Sequence, residues 1–317
     1  MRIQETIPLY LQWLEKRGLK EHTIREHKRF LFGAISRSSV IDKDVNQLSL
    51  VDIAELIEKG KEYGFYGSQR VICIFRQLLK FLKEKEIKTS LDWRDIKVPK
   101  IPAREQPVLE EDEFENLMMS FPISHKNTGA RKMALCMRVL CEVLFATGMR
   151  ISEALALKRE QIEEIEKKKE LTIQGKGGDE RKVFFNKRAI HWLKEYLKQR
   201  NDNSSAMFVN AYGEPLKYTT AKSYILRFRK KLGLIEKKVK FHTFRRTLGT
   251  YLFDKGANLK DVQVVLGHKS ERTTLRCYIK WSERKAKKNY LRIMDKIGAV
   301  ENKGLDNLFW SSKIKSR

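Results

Sequence analysis

The segment from Lys97 to Pro107, KVPKIPAREQP, constrains this chain more than any other stretch, because it holds three of the six prolines. Proline locks φ, lacks a backbone donor and pushes the residue before it out of the helical region, so an extended connector is expected here and no helix crosses it. The cut divides the 317 residues into two parts, each long enough to fold as a domain. The expected boundaries are a helical domain over 1–98, a linker over 99–107, a second domain over 108–281 and a tail helix over 282–317.

Upstream of the linker, Ile7, Leu11 and Leu14, then Ile72, Phe75, Leu78, Leu79 and Leu82, recur at helical spacing. That period predicts an all-helical N-terminal domain. Downstream, RKMALCMRVLCEVLFATG reads as a long buried helix ended by Gly148. Arg150 falls in the turn that follows, and Ser152 is the expected cap of the next, short helix. ELTIQGKGGDERKVFF alternates around a Gly-Lys-Gly-Gly turn, the pattern of a hairpin with its loop at Gly175 to Asp179 and Lys176 in or beside it. Further helices are expected after Thr220, from Thr243 to Lys255, from Leu259 to Leu266 and after Ser282. The fold class is therefore mainly α with a small antiparallel β-hairpin.

Charge narrows the partner. Lys and Arg number 66 against 40 Asp and Glu, a net +26. Residues 1–100 carry 20 basic and 14 acidic side chains, whereas residues 201–317 carry 27 and 10. An excess this large and this uneven points to a polyanion that meets the C-terminal region most closely. The segment SYILRFRKKLG mixes Tyr224, Phe228 and Leu232 with Arg227, Arg229 and Lys230, as expected of a helix packed on one side and facing phosphates on the other; a merely solvated basic face is the alternative. No run approaches the roughly 18 apolar residues of a membrane helix, and the N-terminus lacks a signal-peptide core, so neither membrane insertion nor export is expected. Cys73, Cys136, Cys141 and Cys277 show no CxxC spacing and read as free thiols of a reducing compartment. His22, His27, His125 and His191 have no partner motif and need no chemistry.

The densest set of reactive groups lies in FHTFRRTLGTYLFDKGANLKDVQVVLGHKSERTTLRCYIK. Thr243 reads as an N-cap and Phe244, Leu248, Tyr251 and Leu252 as an apolar stripe, which leaves Arg245 near the positive helix start. His242, one residue before that helix, and Arg245 could share one phosphate with the N–H groups of the first turn. His268 follows Gly267, the expected C-cap of the preceding helix, where a dipole partner is the simpler role. Tyr278 is either core or nucleophile, with Arg272, Arg276 and Lys280 nearby. A phenol that attacks a phosphodiester must lose its proton and needs cations to neutralise the phosphorus oxygens. Arginines and histidines supply those cations, and Lys176 on a hairpin can hand a proton to the departing oxygen.

In chain order, ATGMRISEALAL, GKGGDERKVFF, HTFR, LGHKS and TTLRCYIK closely resemble the catalytic motifs of tyrosine recombinases, the superfamily of lambda integrase and the Xer enzymes. The match spans roughly residues 107–280, and the helical N-terminal part looks like that family's core-binding domain. The resemblance implies a two-domain DNA clamp in which Tyr278 is the nucleophile and Arg150 and Arg245 hold the scissile phosphate. It implies Lys176 as general acid, His242 assisting proton transfer, His268 bonding a phosphate oxygen and Glu153 buttressing the site. Arg246, counted with Arg227, Arg229 and Lys230 among the DNA-binding residues, stands where many relatives place histidine. Phe185 stands where relatives often end the hairpin with proline.

The implied reaction cuts one strand at a time through a 3′-phosphotyrosyl link, and exchange proceeds through a Holliday junction. It needs no cofactor, and neither a P-loop nor an HExxH motif nor a convincing carboxylate cluster is found. No metal is expected. The implied partners are double-stranded DNA at specific sites and three further copies of the chain in a homo-tetramer, with an accessory recombinase or directionality factor as a further possibility. No arm-binding domain is expected before the helical part, an expectation that favours an Xer-like or small mobile-element enzyme in the cytoplasm, associated with the nucleoid. A type IB topoisomerase, a non-catalytic DNA-binding regulator and a metal-dependent nuclease are the rival readings.

Overall fold

A computed structural model describes residues 1–102, 107–124, 126–175, 178–231, 239–268, 270, 290, 291, 293 and 294. The chain divides into two compact units, Met1–Arg104 and Glu105–Arg317. In the first unit, apolar side chains at helical spacing gather on α1 (Ile3–Lys16), α2 (Glu21–His27), α3 (Gly33–Ile35), α4 (Leu50–Lys61) and α5 (Gly67–Glu84). A π-helical turn over Lys28–Phe32 joins α2 to α3. The predicted stripe of α5, from Ile72 to Leu82, is fully buried against Ile3, Ile7, Tyr10 and Leu14 of α1. Within this core the Tyr10 hydroxyl meets Nδ1 of His27 at 2.9 Å. His27 thus has a packing role, and desolvation holds its pKa below the ordinary value.

The second unit is built around one helix. After α6 (Glu111–Met119), α7 (Thr128–Thr147) is so apolar that Met133 to Met137, Val139 to Leu144 and Thr147 are all buried. A helix buried on nearly every side must be enclosed by other elements. Here α10 (Lys187–Lys198), α11 (Tyr218–Lys231) and α12 (Phe241–Asp254) enclose it, together with the short α8 (Ile151–Leu155). The remaining elements are α9 (Ile162–Lys168), strands β1 (Glu170–Gln174) and β2 (Glu180–Phe184), and α13 (Leu259–Leu266). Asn127, Asn186 and Asn258 cap α7, α10 and α13 by accepting a backbone N–H three residues on, and so satisfy donors the helix itself leaves open. The single carboxylate of α7, Glu142, is paired with Arg188 of α10 at 2.7 Å. Burial raises its pKa, a rise the arginine opposes.

The strands form the expected two-stranded antiparallel sheet, with Leu171 opposite Val183 and Ile173 opposite Arg181. The strands end at Gln174 and begin again at Glu180, where the alternation of the sequence places them. Phe185 carries the pairing one step further, since its N–H donates to the Lys169 carbonyl at 2.8 Å and its ring is buried. A proline there has no such donor. Among the described residues no helix is long and apolar enough to cross a membrane. Cys136 and Cys141 are buried thiols and Cys73 an exposed one, while Cys277 and His125 lie outside the described residues.

Gly148 ends α7 at φ +61°, the left-handed conformation that side chains adopt only at a cost of roughly 1–2 kcal/mol. A Cβ there would also lie 2.8 Å from Leu266 Cδ2 and 3.0 Å from Leu248 Cδ2. Gly148→Ala is therefore expected to destabilise the second unit by about 2 kcal/mol, read as a lower melting temperature of its transition. An unchanged melt would contradict the role given to this cap.

Candidate active site

The first site residue stands where α7 gives way to α8. Arg150 has an extended backbone and occupies the N-cap of α8, so Ser152 is inside the helix and does not cap it, contrary to expectation. The capping acceptor is instead Glu153, whose Oε2 takes the Arg150 backbone N–H at 2.7 Å while Oε1 takes the Arg150 guanidinium at 2.8 Å. A carboxylate three residues into a helix is well placed for both bonds and for the positive helix end. Glu153 is buried at 8% exposure. Burial pushes its carboxyl up, but the two Arg150 bonds and the Arg181 charge outweigh that and hold it below the usual range.

The second arginine comes from α12. That helix begins at Phe241, with Lys240 as N-cap, so the cap lies earlier in the chain than the expected Thr243. Thr243 acts from inside the first turn, where its hydroxyl accepts the Lys240 N–H at 3.0 Å. His242 is thus the second residue of the helix, on its exposed side. Of the expected stripe, Phe244 and Leu248 are buried and Tyr251 and Leu252 half-buried. Arg245 is buried at 6% exposure. Its guanidinium donates to the Gly148 carbonyl at the end of α7 and to the Leu266 carbonyl at the end of α13.

His268 follows directly. Gly267 closes α13 at φ +59°, and His268 is held by its backbone, donating to the Gln263 carbonyl at 3.0 Å and accepting from the Gln263 side chain at 2.9 Å. The half-buried imidazole is pushed down to about 4 by desolvation and by the charges of Arg245, Arg150 and Arg181. Partial desolvation and the charges of Arg246, Arg245 and Arg150 lower His242 as well. Groups from α8, β2, α12 and α13 therefore act on one another across a common patch. It joins guanidinium groups, which hold an anion in a fixed geometry, to neutral imidazoles that can donate or accept a proton.

Arg181 is a site residue that the sequence motifs did not single out. It lies on β2 with its side chain 13% exposed and bonds Glu153 Oε2 at 2.8 Å. The strand alternation carried the signal, because Arg181 shares the inward face with Val183 and stands opposite Ile173. Of the proposed DNA-facing residues, Arg227 and Lys230 are exposed on α11 and Arg229 is half-buried, while Tyr224 and Phe228 stack on Phe121 on the packed side. Arg246 reaches the Pro107 carbonyl at 3.4 Å. Lys176 and Tyr278 lie outside the described residues, as does most of the tail after Ser282. Among the described residues no group of three or more His, Cys, Asp or Glu is placed to hold a metal ion.

Both histidines have lowered pKa values, so below the unfolded value of about 6.5 the unfolded chain binds protons that the native chain does not. Stability should fall as pH drops through that value, the His268 share continuing toward about 4. His268→Gln is expected to flatten the decline in melting temperature between about pH 7 and about pH 5. An unaltered slope would show that the ring is not held neutral by its surroundings.

The phage integrase family profile matches residues 107–285, more than half of the chain. The tyrosine recombinase XerD of Chlorobaculum tepidum is 32% identical over 227 residues, covering 69% of this chain and 73% of that relative. The tyrosine recombinase XerC of Leptospira interrogans is 28% identical over 302 residues, 91% of this chain and 92% of its own. Among solved structures, the Tn1549 transposon integrase in complex with circular intermediate DNA superposes with a TM-score of 0.72 at 17% identity, over 90% of this chain and 98% of that one. A lambda integrase dimer bound to a COC′ core site gives 0.70 at 18%, over 87% and 77%. At these identities the structural likeness is one of fold, while the profile and the XerD relative establish kinship. The chain belongs to the phage integrase family and is a tyrosine recombinase, a site-specific recombinase by family.

Proposed function

We propose that this enzyme cleaves and rejoins duplex DNA at specific sites through a 3′-phosphotyrosyl intermediate on Tyr278. What supports the reading is the convergence of Arg150, His242, Arg245 and His268 on one patch beside Glu153, although their motifs are far apart in the chain. A scissile phosphate carries a negative charge that grows on its non-bridging oxygens as a fifth ligand enters. Two guanidinium groups held by fixed partners stabilise that charge without reorganising. Arg150 and Arg245 take this role, and His268 donates a hydrogen bond to the same oxygens. His242 accepts the phenol proton as Tyr278 attacks, and Lys176 protonates the departing 5′-oxygen. The bond energy stays in the tyrosyl ester. A free 5′-hydroxyl from another strand then reverses the step, returns the phenol proton and releases Tyr278.

The same reading assigns residues 108–281 to catalysis and residues 1–98 to the other jaw of a clamp on the duplex. Two protomers occupy each site, and a homo-tetramer on two synapsed sites exchanges strands through a Holliday junction in the cytoplasm, at the nucleoid. The relatives' names and the bound DNA of the neighbours support DNA as the partner. A second recombinase or a directionality factor fits the same scheme as a regulator of which strand pair reacts.

The decisive experiment incubates purified protein in EDTA with nicked suicide duplexes carrying candidate sites and scores an SDS-stable protein–DNA adduct. Wild type should form the adduct and Tyr278→Phe should form none while still binding the duplex. An adduct that survives Tyr278→Phe would remove Tyr278 as nucleophile. For the basic face, deleting one phosphate-binding cation should reduce the slope of log affinity against log salt by about 0.9. The double variant Arg227→Ala with Lys230→Ala is expected to lower it by about 2, and a slope equal to that of the wild type would place the duplex elsewhere.

A further inference from the structure

Arg181 is a charged residue of the patch that the reaction scheme leaves unused, and its side chain bonds two other elements. Its Nη2 holds Glu153 Oε2 at 2.8 Å, on the carboxylate whose other oxygen holds Arg150. Its Nη1 reaches the carbonyl of Val265 in the last turn of α13 at 3.4 Å. The side chain then passes over Gly267, so closely that a Cβ on that glycine would lie 2.8 Å from Nε and nearer still to Cδ. Nε itself is buried without a hydrogen-bond partner. An unmatched buried donor costs free energy, which marks a place where geometry is kept at the expense of stability.

We propose that Arg181 is a positioning residue for strand cleavage: it ties the Arg150–Glu153 pair of α8 to the C-terminal turn of α13, and so sets the spacing between Arg150 and His268. The proposal rests on the recombinase reading above. An arginine fits the task because its planar fork bonds two acceptors in different elements at once, whereas a lysine supplies one point charge. Placement of the phosphate-facing groups is worth much of the rate, since a displacement of about 1 Å costs on the order of 100-fold. The charge has a second consequence. His268 is faced by Arg245 from α12, Arg150 from the start of α8 and Arg181 from β2, and all three disfavour its protonated form.

The test uses the full chain with Arg181→Met and Arg181→Lys. Single-turnover adduct formation on a suicide duplex is compared with duplex affinity, and the His268 ring is titrated by NMR. Arg181→Met should cleave roughly 10- to 100-fold more slowly at unchanged affinity. Its His268 titration should move up toward the ordinary value. Arg181→Lys, which keeps the charge and the Glu153 pair but not the second bond, should fall between the two. A wild-type rate and titration in Arg181→Met would overturn the proposal, as would a parallel decline of rate, affinity and melting temperature. Should Arg181→Met melt far below the wild type, Arg181→Lys decides, and a wild-type rate there overturns it. If the wild type itself forms no adduct, the phosphotyrosyl reading fails while the family assignment stands, and the His268 titration still judges whether Arg181 is held beside that ring.

Discussion

Two helices end with their carbonyls aimed at one buried guanidinium. The carbonyl of Gly148 closes α7 and that of Leu266 closes α13, and Arg245 of α12 donates to both. Helix C-termini carry partial negative charge and unsatisfied acceptors, so a cation there replaces water for both ends at once. Burying a guanidinium would otherwise be costly, and the two carbonyls offset that cost. The arrangement needs both helices to stop sharply. Each does so on a left-handed glycine, Gly148 at φ +61° and Gly267 at φ +59°, and the residues that follow begin the next parts of the site.

From this junction the electrostatics of the patch follow. Arg150 caps α8 just after Gly148, His268 follows Gly267, and His242 lies about one turn before Arg245 on the same helix. Desolvation first, and the surrounding guanidinium charges after it, lower the pKa of the two imidazoles and favour their neutral form. Glu153 remains ionised despite its burial because Arg150 and Arg181 both bond it. The patch thus carries fixed positive charge beside groups able to move a proton, the combination that phosphodiester chemistry requires.

Much of this fold is legible in the order of residues. The ends of the two strands at Gln174 and Glu180, the stop of α7 at Gly148 and the span of α13 all follow from turn chemistry and period, which act locally. The differences are local too, but of one kind. Ser152 and Thr243 have hydroxyls that suit a cap, yet each helix starts earlier, and the acceptors Glu153 and Thr243 work from the third position inside the helix. A side chain that accepts a backbone N–H from inside the first turn leaves the same composition as one that accepts it from the cap.

Residue type and order by themselves determined that the chain is basic, mainly helical and divided at its prolines. They also identified the motifs that mark a tyrosine recombinase, because those depend on side-chain chemistry and near-neighbour spacing. Only the tertiary structure decided that Arg245 faces two helix ends, that Glu153 serves two arginines, and that Arg181, an ordinary strand residue in sequence, reaches the turn before His268. Such bonds join residues far apart in the chain. Which acceptors a guanidinium finds depends on how whole helices pack around α7, and no local period encodes that.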